Sequence, residues 1–332
     1  MIEFDEVTKV YSGETVAIEG VSFTVEEGTT TVLVGPSGCG KTTTMKLVNR
    51  LEEPSEGAVY YDGEDIAAYD EIDLRRDIGY VIQEIGLFDH MTVAENVATV
   101  PTLKGWDEET IDERVDELLA LMDLPPEEYR EQYPPVLSGG QKQRVGVARA
   151  LAADPDVLLM DEPFGALDPI TRTDLQDEFL EIQAQINTTI LFVTHSIDEA
   201  LKMGDRIAIF DMGEVVQYDT PREILENPAN TFVADFIGED RALKQLQVTR
   251  VEEIMSEGQG DFGTIEADGS VNTDRDVSVV PLSKDDSAQT ALSRLIGGDV
   301  DRVPVVAEGA VVGTVSQSDL RNRGGKPMER TL

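Results

Sequence analysis

A glycine-rich segment after residue 34 has the residue types that enclose phosphate groups. The segment reads Gly35-Pro36-Ser37-Gly38-Cys39-Gly40-Lys41-Thr42-Thr43. It lies between a short β-branched run and a predicted helix, which is the position that a P-loop requires. Glycines let backbone amides surround phosphate oxygens, Lys41 can reach the β- and γ-phosphates, and Thr42 offers a hydroxyl to Mg²⁺. The segment predicts a site for ATP with Mg²⁺, in which Cys39 is a space-filling loop residue rather than a redox switch.

Two adjacent carboxylates follow a second apolar run, residues 157–160. We expect Asp161 to hold Mg²⁺, directly or through water, and Glu162 to polarise the attacking water. Phosphoryl transfer needs both roles beside the triphosphate. Taken alone, such a pair is more often a solvated strand edge, but the P-loop upstream favours the catalytic interpretation.

A second anion-binding pattern lies about a hundred residues after the P-loop. It reads Leu137-Ser138-Gly139-Gly140-Gln141-Lys142-Gln143-Arg144. Ser138 is a typical N-cap, and the two glycines expose backbone amides at a helix start. With all three motifs present, the sequence resembles the ABC ATPases, and this segment resembles their signature motif.

The resemblance implies roles for further residues. Gln83 matches the Q-loop glutamine, which contacts Mg²⁺ or the water, and His195 matches the switch histidine at the γ-phosphate. Residues 165–168, ending in Asp168, match the D-loop. Tyr11 matches the aromatic residue that stacks on adenine, although a core tyrosine is an alternative. His90 is interpreted as a loop residue without a catalytic role. The implied catalytic residues are Lys41, Gln83, Glu162 and His195.

The resemblance also implies an assembly. In ABC ATPases, ATP lies between the P-loop of one subunit and the signature motif of the other, so Ser138, Gly139, Gly140 and Gln141 are expected to act on ATP of a second copy. The segment 84–91 is expected to contact transmembrane permease subunits. An extracellular substrate-binding protein completes such an importer, and this chain is then a peripheral protein on the cytoplasmic side of the membrane.

The alternation of strands and helices predicts an α/β fold with a parallel-sheet core covered on both faces. The expected class is a P-loop NTPase of ABC type, with an antiparallel β subdomain at the N-terminus and a helical subdomain over about 86–150. We expect the ATPase domain to cover residues 1–236 and a linker to cover 237–246. A small α+β domain over 247–325 follows, interrupted by a polar loop at 258–276.

The region 80–97 is similar to the ATPases of quaternary-amine importers, which take up glycine betaine, carnitine or choline. Residues 285–320 resemble one CBS repeat, and 248–255 resemble the start of an earlier, degenerate repeat. Ser316 and Asp319 stand where CBS modules contact the ribose or phosphate of an adenine nucleotide. A dimerising or regulatory domain without a ligand is an equal alternative.

Composition restricts the class of protein. The 332 residues carry a net charge of −39 that is spread along the chain, which disfavours nucleic-acid binding. We expect a folded intracellular protein with neither a signal peptide nor a membrane span. With one cysteine, no internal disulfide is expected.

The acidic surface predicts a salt-dependent stability that is typical of a halophilic protein. Salt at about 1 M shortens the Debye length to about 3 Å and screens the self-repulsion of the folded chain. The melting temperature is therefore expected to rise between dilute buffer and molar KCl. An unchanged melting temperature over this range contradicts the prediction.

Three other functions are open at this point. An importer of amino acids, metals or sugars has the same ATPase motifs, but the CBS-like region disfavours it. A soluble ABC ATPase acting on ribosomes or DNA usually has paired cassettes or long coiled coils. A nucleotide-sensing module does not need the complete hydrolytic set.

Overall fold

The computed structural model describes residues 1–83, 85–165, 167–257, 271–272, 278–307 and 309–323. The chain divides into two compact units, Met1–Thr220 and Pro221–Leu332. The strands of the first unit are β1 (Ile2–Tyr11), β2 (Thr15–Val25), β3 (Thr30–Val34), β4 (Glu56–Tyr61), β5 (Glu64–Asp65), β6 (Ile78–Val81), β7 (Val157–Asp161), β8 (Thr189–Thr194), β9 (Arg206–Asp211) and β10 (Glu214–Asp219). Its helices are α1 (Lys41–Val48), α2 (Glu71–Asp77), α3 (Val93–Val97), α4 (Thr99–Leu103), α5 (Glu108–Leu121), α6 (Pro126–Tyr129), α7 (Gly139–Leu151), α8 (Pro169–Gln183) and α9 (Ile197–Met203), with 3₁₀ turns at Ile66–Ala68 and Pro134–Val136.

The central sheet of this unit has the strand order β10-β9-β3-β8-β7-β6. Only the pair β10 and β9 is antiparallel, and the other pairs are parallel. Every residue of β3, β7 and β8 is buried, as expected for strands covered on both faces. The predicted parallel-sheet core is confirmed, and the carboxyl ends of β3, β6, β7 and β8 meet at one edge, where ligands bind in open α/β sheets.

A second, antiparallel sheet with the order β2-β1-β4-β5 shares a core with the central sheet. Its rings Phe4 and Phe23 stack with centroids 4.5 Å apart. The core also contains Leu33 of β3 and Val193 of β8. This sheet is the predicted antiparallel β subdomain.

The helices α3 to α7 form the predicted helical subdomain. The side chain of Asp107 caps α5 by accepting a hydrogen bond from the Thr110 amide at 3.0 Å. A cavity of about 330 Å³ lies between α5, α7 and α8, and Phe164 and Val147 contribute to its walls. Gln143 lines this cavity with 3% of its surface exposed, and its Nε2 has no hydrogen-bond partner among the described residues.

The second unit contains α10 (Pro221–Glu226), α11 (Thr231–Ile237), α12 (Arg241–Val248), α13 (Val251–Ile254), α14 (Ala288–Gly297) and α15 (Gln317–Arg323). Its strands are β11 (Ser256–Glu257), β12 (Val271–Asn272), β13 (Ser278–Val279), β14 (Arg302–Ala307) and β15 (Ala310–Ser316). The antiparallel order β11-β15-β14 and the helices α14 and α15 enclose an apolar core that includes Leu295, Val303 and Val315. The predicted polar loop at 258–276 lies outside the described residues, apart from 271–272.

The division after Thr220 lies earlier than the predicted end of the ATPase domain at residue 236. Arg241 and Gln245 of α12 donate hydrogen bonds to the carbonyl oxygen of Leu225, which joins α10 to α12. The predicted linker at 237–246 therefore overlaps a helix. Local sequence patterns do not show that side chains such as Arg241 and Gln245 donate to the last carbonyl groups of another helix.

No helix in the described part of the chain combines the length and the apolar character needed to cross a membrane.

Candidate active site

The P-loop glycines adopt backbone conformations that other residues rarely reach. Gly35, Gly38 and Gly40 have φ of 156°, 80° and 104°. A Cβ at Gly35 would overlap the carbonyl oxygen of Phe210, and one at Gly40 would lie 2.5 Å from Ile18 Cγ2. A Cβ at Gly38 would meet nothing within 4 Å. The loop is therefore tight on its inner side and open at Gly38, which fits the approach of a phosphate group to backbone amides.

Lys41 begins α1 with 5% of its surface exposed. Its Nζ donates hydrogen bonds to the carbonyl oxygens of Gly35 at 2.8 Å and Pro36 at 2.9 Å, so the ammonium group lies inside the loop. Ser37 is exposed at the open side of the loop. Cys39 is buried, and burial raises the pKa of its thiol, which supports a space-filling role for this residue.

Asp161 ends β7 as a buried carboxyl group beside the P-loop helix. Thr42 Oγ1 donates a hydrogen bond to Asp161 Oδ1 at 3.1 Å. Burial is the main cause that raises the pKa of Asp161, and the charge of Glu162 acts in the same direction, while Thr42, Lys46 and Lys41 lower it. A hydroxyl and a carboxylate at this distance are the oxygen ligands that Mg²⁺ prefers.

Asp161→Asn is expected to stabilise the nucleotide-free chain and to abolish Mg²⁺-dependent ATP hydrolysis. A carboxyl group whose pKa is raised by folding favours the folded state least above its folded pKa, so at neutral pH the buried charge is destabilising. Differential scanning fluorimetry without nucleotide should show a higher melting temperature. The expected rise is about 2–4 °C for each kcal/mol by which the free energy of unfolding increases. The exposed Asp174→Asn is the control, and a lower melting temperature of Asp161→Asn contradicts the prediction.

Glu162 is the point at which three predicted catalytic side chains meet. Its Oε2 lies 3.3 Å from Gln83 Nε2, which donates a hydrogen bond, and 3.4 Å from His195 Nδ1. Gln83 follows β6, Glu162 follows β7 and His195 follows β8. Glu162 has a left-handed φ of 45°, and its amide donates to the carbonyl oxygen of Val193 at 2.9 Å. Strain of this kind is typical of functional sites.

Tyr11 ends β1 beside the P-loop helix. Its hydroxyl oxygen lies 3.5 Å from Thr43 Oγ1, and Lys9 Nζ lies 5.1 Å from the centre of its ring. The side chain is half-buried rather than enclosed in the core. This position is compatible with stacking on an adenine base, which stays a prediction.

The signature segment begins α7 with reciprocal capping. Ser138 Oγ accepts a hydrogen bond from the Gln141 amide at 3.3 Å, and Gln141 Oε1 accepts one from the Ser138 amide at 2.8 Å. A Cβ at Gly139 would lie 3.6 Å from Leu167 Cδ2, and one at Gly140 would lie 3.2 Å from a methyl group of α8. The segment therefore lies against the D-loop region of its own chain. Among the described residues, no hydrogen bond joins it to the P-loop.

Asp168 is the N-cap of α8. Its carboxylate accepts hydrogen bonds from the amides of Ile170 and Thr171, both at 3.2 Å. The hydrogen bonds from Thr171 and Ile170 lower the pKa of Asp168. Within one chain, Asp168 thus orders the start of α8, and its contact with ATP stays a prediction.

Two further residues of the site region were not predicted from sequence. Asn96 is fully buried, and its amide group bonds both the N–H and the C=O of Phe88. Arg149 of α7 donates to the carbonyl oxygens of Ile85 and Gly86. The available signal was one polar residue in each of two otherwise apolar helix faces, at 93–97 and at 145–151.

In the second unit, Ser316 and Asp319 lie together at the start of α15. Asp319 Oδ2 accepts hydrogen bonds from the Ser316 amide at 2.8 Å and hydroxyl at 2.6 Å. Ser256 Oγ donates to the other carboxylate oxygen at 3.1 Å. Both oxygens are thus bonded within the chain.

The fold and this site define a P-loop ATPase of the ABC class. The family profile described as ABC transporter matches residues 18–165, and the CBS domain profile matches residues 275–325. The chain belongs to the ATP-binding subunits of ABC transporters, and it hydrolyses ATP.

Two relatives are similar to nearly the whole chain, and a solved structure is similar to two thirds of it. The carnitine transport ATP-binding protein OpuCA of Listeria monocytogenes is 48% identical over 97% of this chain and 77% of its own length. The glycine betaine uptake system ATP-binding protein YehX of Escherichia coli is 44% identical over 96% of this chain and 99% of its own length. A dimeric, post-hydrolysis ATP-binding cassette, MJ0796 with ADP and Pi, is 34% identical with a TM-score of 0.60, covering 67% of this chain and 99% of that one.

Proposed function

We propose that this chain is the ATPase subunit of an importer for a quaternary-amine osmolyte such as glycine betaine, carnitine or choline. The support is similarity over 96–97% of the chain to ATP-binding proteins whose names state carnitine transport and glycine betaine uptake. The similarity includes the region of the CBS domain, which lies outside the shared ATPase motifs.

The hydrolytic step rests on the convergence at Glu162. Its carboxylate polarises the attacking water, while Gln83 and His195, at 3.3 and 3.4 Å, orient the carboxylate and the γ-phosphate. Because the three residues come from the ends of three neighbouring strands, the sheet itself fixes their spacing.

Lys41 and the P-loop amides bind the phosphate groups during this step. Thr42, Asp161 and Gln83 are the residues that would hold Mg²⁺, which supplies charge neutralisation at the phosphate oxygens when bound. The hydrogen bond from Thr42 to Asp161 keeps the first two ligands together before the metal enters.

A second copy of the chain completes each ATP site. Gly139 and Gly140 present backbone amides at the start of α7, while the Ser138 amide is bonded to Gln141. Within the described residues, this segment has no hydrogen bond to the P-loop of its own chain. A homodimer places this segment against ATP that is bound to the other P-loop. Two sites related by a two-fold axis then form one isologous interface.

The permease subunits bind beside the Q-loop in this proposal. Among the described residues, large side chains exposed in this region include Phe88, Tyr133 and Val136. Phe88 lies in the loop before α3, whereas Tyr133 and Val136 follow Gln132. The two segments are connected through α3, because the Val93 amide at its start donates a hydrogen bond to the carbonyl oxygen of Gln132 at 2.8 Å. Exposed apolar side chains that are grouped in this way are typical of protein interaction sites.

The test is ATP hydrolysis by the complete complex, with permease and substrate-binding protein, in proteoliposomes. Glycine betaine, carnitine or choline should increase the hydrolysis rate severalfold, and the Glu162→Gln complex is the control for background hydrolysis. If only an amino acid or a sugar stimulates hydrolysis, the chain serves an importer of that solute class and the osmolyte proposal is wrong. Binding of an adenine nucleotide at Ser316 and Asp319 stays a prediction. Both carboxylate oxygens of Asp319 have hydrogen-bond partners within the chain, so a nucleotide would have to replace or share these bonds.

A further inference from the structure

The signature helix α7 extends from the signature motif to the loop that follows Gln83. It is continuous from Gly139 to Leu151, 13 residues, which corresponds to a length of about 20 Å. The Ser138 cap lies at its N-terminus, and Arg149 lies in its last turn. A rigid helix of this kind can transmit a displacement from one end to the other.

Arg149 contacts the loop through both ends of its guanidinium group. Nη1 donates to the carbonyl oxygen of Gly86 at 2.7 Å, and Nη2 donates to that of Ile85 at 2.6 Å. Its Cζ also lies 5.7 Å from the centre of the Phe88 ring, within the range of a cation–π interaction. The side chain is half-buried, so the two short, charge-assisted hydrogen bonds are partly shielded from water.

The loop needs such support because its backbone is unfavourable. Ile85 and Gly86 both have φ of 59°, and a β-branched residue in this left-handed region is a genuine outlier. The helix also makes room for the loop at Gly146, where a Cβ would lie 2.8 Å from Ile85 Cγ2. The same helix face therefore accommodates Ile85 and binds its carbonyl group.

Phe88, in the middle of the loop, is bound to α3 through its backbone. Asn96 Oδ1 accepts a hydrogen bond from the Phe88 amide at 2.8 Å, and Asn96 Nδ2 donates to the Phe88 carbonyl oxygen at 3.1 Å. The Phe88 ring is nevertheless 41% exposed. A displacement of Ile85 and Gly86 is thus passed to an exposed ring over a short, ordered segment.

We propose that Arg149 is a positioning residue that couples α7 to the loop 85–91, so that the signature motif at one end of α7 controls the position of Phe88 at the other. This coupling rests on the proposed permease contact for its function, but not for its geometry. Lysine cannot replace this residue, because its ammonium group lacks the planar pair of donors that reaches two adjacent carbonyl oxygens.

The first test uses hydrogen–deuterium exchange of the isolated chain. Arg149→Lys should increase the exchange rate of the amides in 85–91 by about tenfold, while β8 is unchanged. Arg114→Lys is the matched control, since Arg114 donates to the Leu151 carbonyl oxygen at 3.3 Å but does not contact the loop. Gly146→Ala tests the same contact from the helix side if Arg149→Lys is poorly folded.

The second measurement adds ATP in a Glu162→Gln background, where ATP is bound without turnover. ATP should slow exchange in 85–91 when Arg149 is present and should have little effect in the Arg149→Lys chain. Equal responses of both chains overturn the coupling, whatever the transported solute is.

The third measurement is made on the complete complex. Arg149→Lys should reduce solute-stimulated hydrolysis at least about fivefold, with basal hydrolysis and the KM for ATP within about twofold of the wild type. A parallel loss of basal and stimulated rates indicates a merely structural role and overturns the proposal. A wild-type complex that no quaternary amine stimulates contradicts the proposed function instead, and leaves the exchange measurements as the test of Arg149.

Discussion

Glu162→Gln is expected to reduce ATP turnover by about 10²–10⁴-fold while ATP binding is retained. The amide that replaces the carboxylate is nearly the same size, so the P-loop and Asp161 keep their positions. What is lost is the negative charge that is expected to polarise the attacking water, at the point where Gln83 and His195 meet. An enzyme that binds ATP but cannot hydrolyse it is expected to accumulate as a closed dimer.

Three measurements together test this expectation. Phosphate release should be nearly absent, a fluorescent ATP analogue should bind with wild-type affinity, and size-exclusion chromatography with ATP and Mg²⁺ should show a dimer. Glu214→Gln, at an exposed position on β10, is the control for loss of a surface charge. A fully active Glu162→Gln enzyme would remove Glu162 from the catalytic role.

Mixing two inactive variants is expected to restore hydrolysis. Lys41→Ala removes the ammonium group that is expected to bind phosphate, and Gly139→Asp places a negative charge at the signature amides. The second change is sterically tolerated, because a Cβ at Gly139 would have an ordinary contact of 3.6 Å with Leu167. In a mixed dimer, the intact P-loop of one chain faces the intact signature motif of the other, so one of the two sites is complete.

The expected activity of the equimolar mixture is up to about a quarter of the wild-type rate, since half of the dimers are mixed and each has one complete site. Each variant alone should be inactive at the same total concentration. The double variant Lys41→Ala, Gly139→Asp mixed with inactive Lys41→Ala is the control, because no pairing of these chains completes a site. If the first mixture stays inactive, the signature motif does not act on ATP of a second copy.

The clustering of the predicted hydrolytic residues could be anticipated, because the chemistry requires them in short contiguous motifs. Gly38 and Lys41 belong to one short P-loop segment, and Asp161 and Glu162 are neighbours in sequence. Their meeting with Gln83 and His195 follows from one rule, since the carboxyl ends of neighbouring parallel strands lie at one edge of the sheet.

Contacts between distant segments were not predictable in this way. Arg149 and Gly86 are separated by 63 positions, and nothing in either local pattern indicates the other. The position of α12 relative to α10 depends on Arg241 and Gln245 at a helix end, which the sequence presents only as polar residues in a predicted linker. By contrast, the role of Asp168 as an N-cap could have been predicted, since Pro169 follows it at the first helical position.

The cavity beneath the signature helix has a consequence for the response to compression. Hydrostatic pressure favours states of smaller total volume. The space of about 330 Å³ between α5, α7 and α8 opens to solvent, since exposed side chains such as Asp123 and Glu181 contribute to its lining. Every residue of β3, β7 and β8 is buried by contrast. Compression is therefore expected to drive water against the apolar walls of the pocket and to loosen the packing of the signature helix before it disturbs the strands.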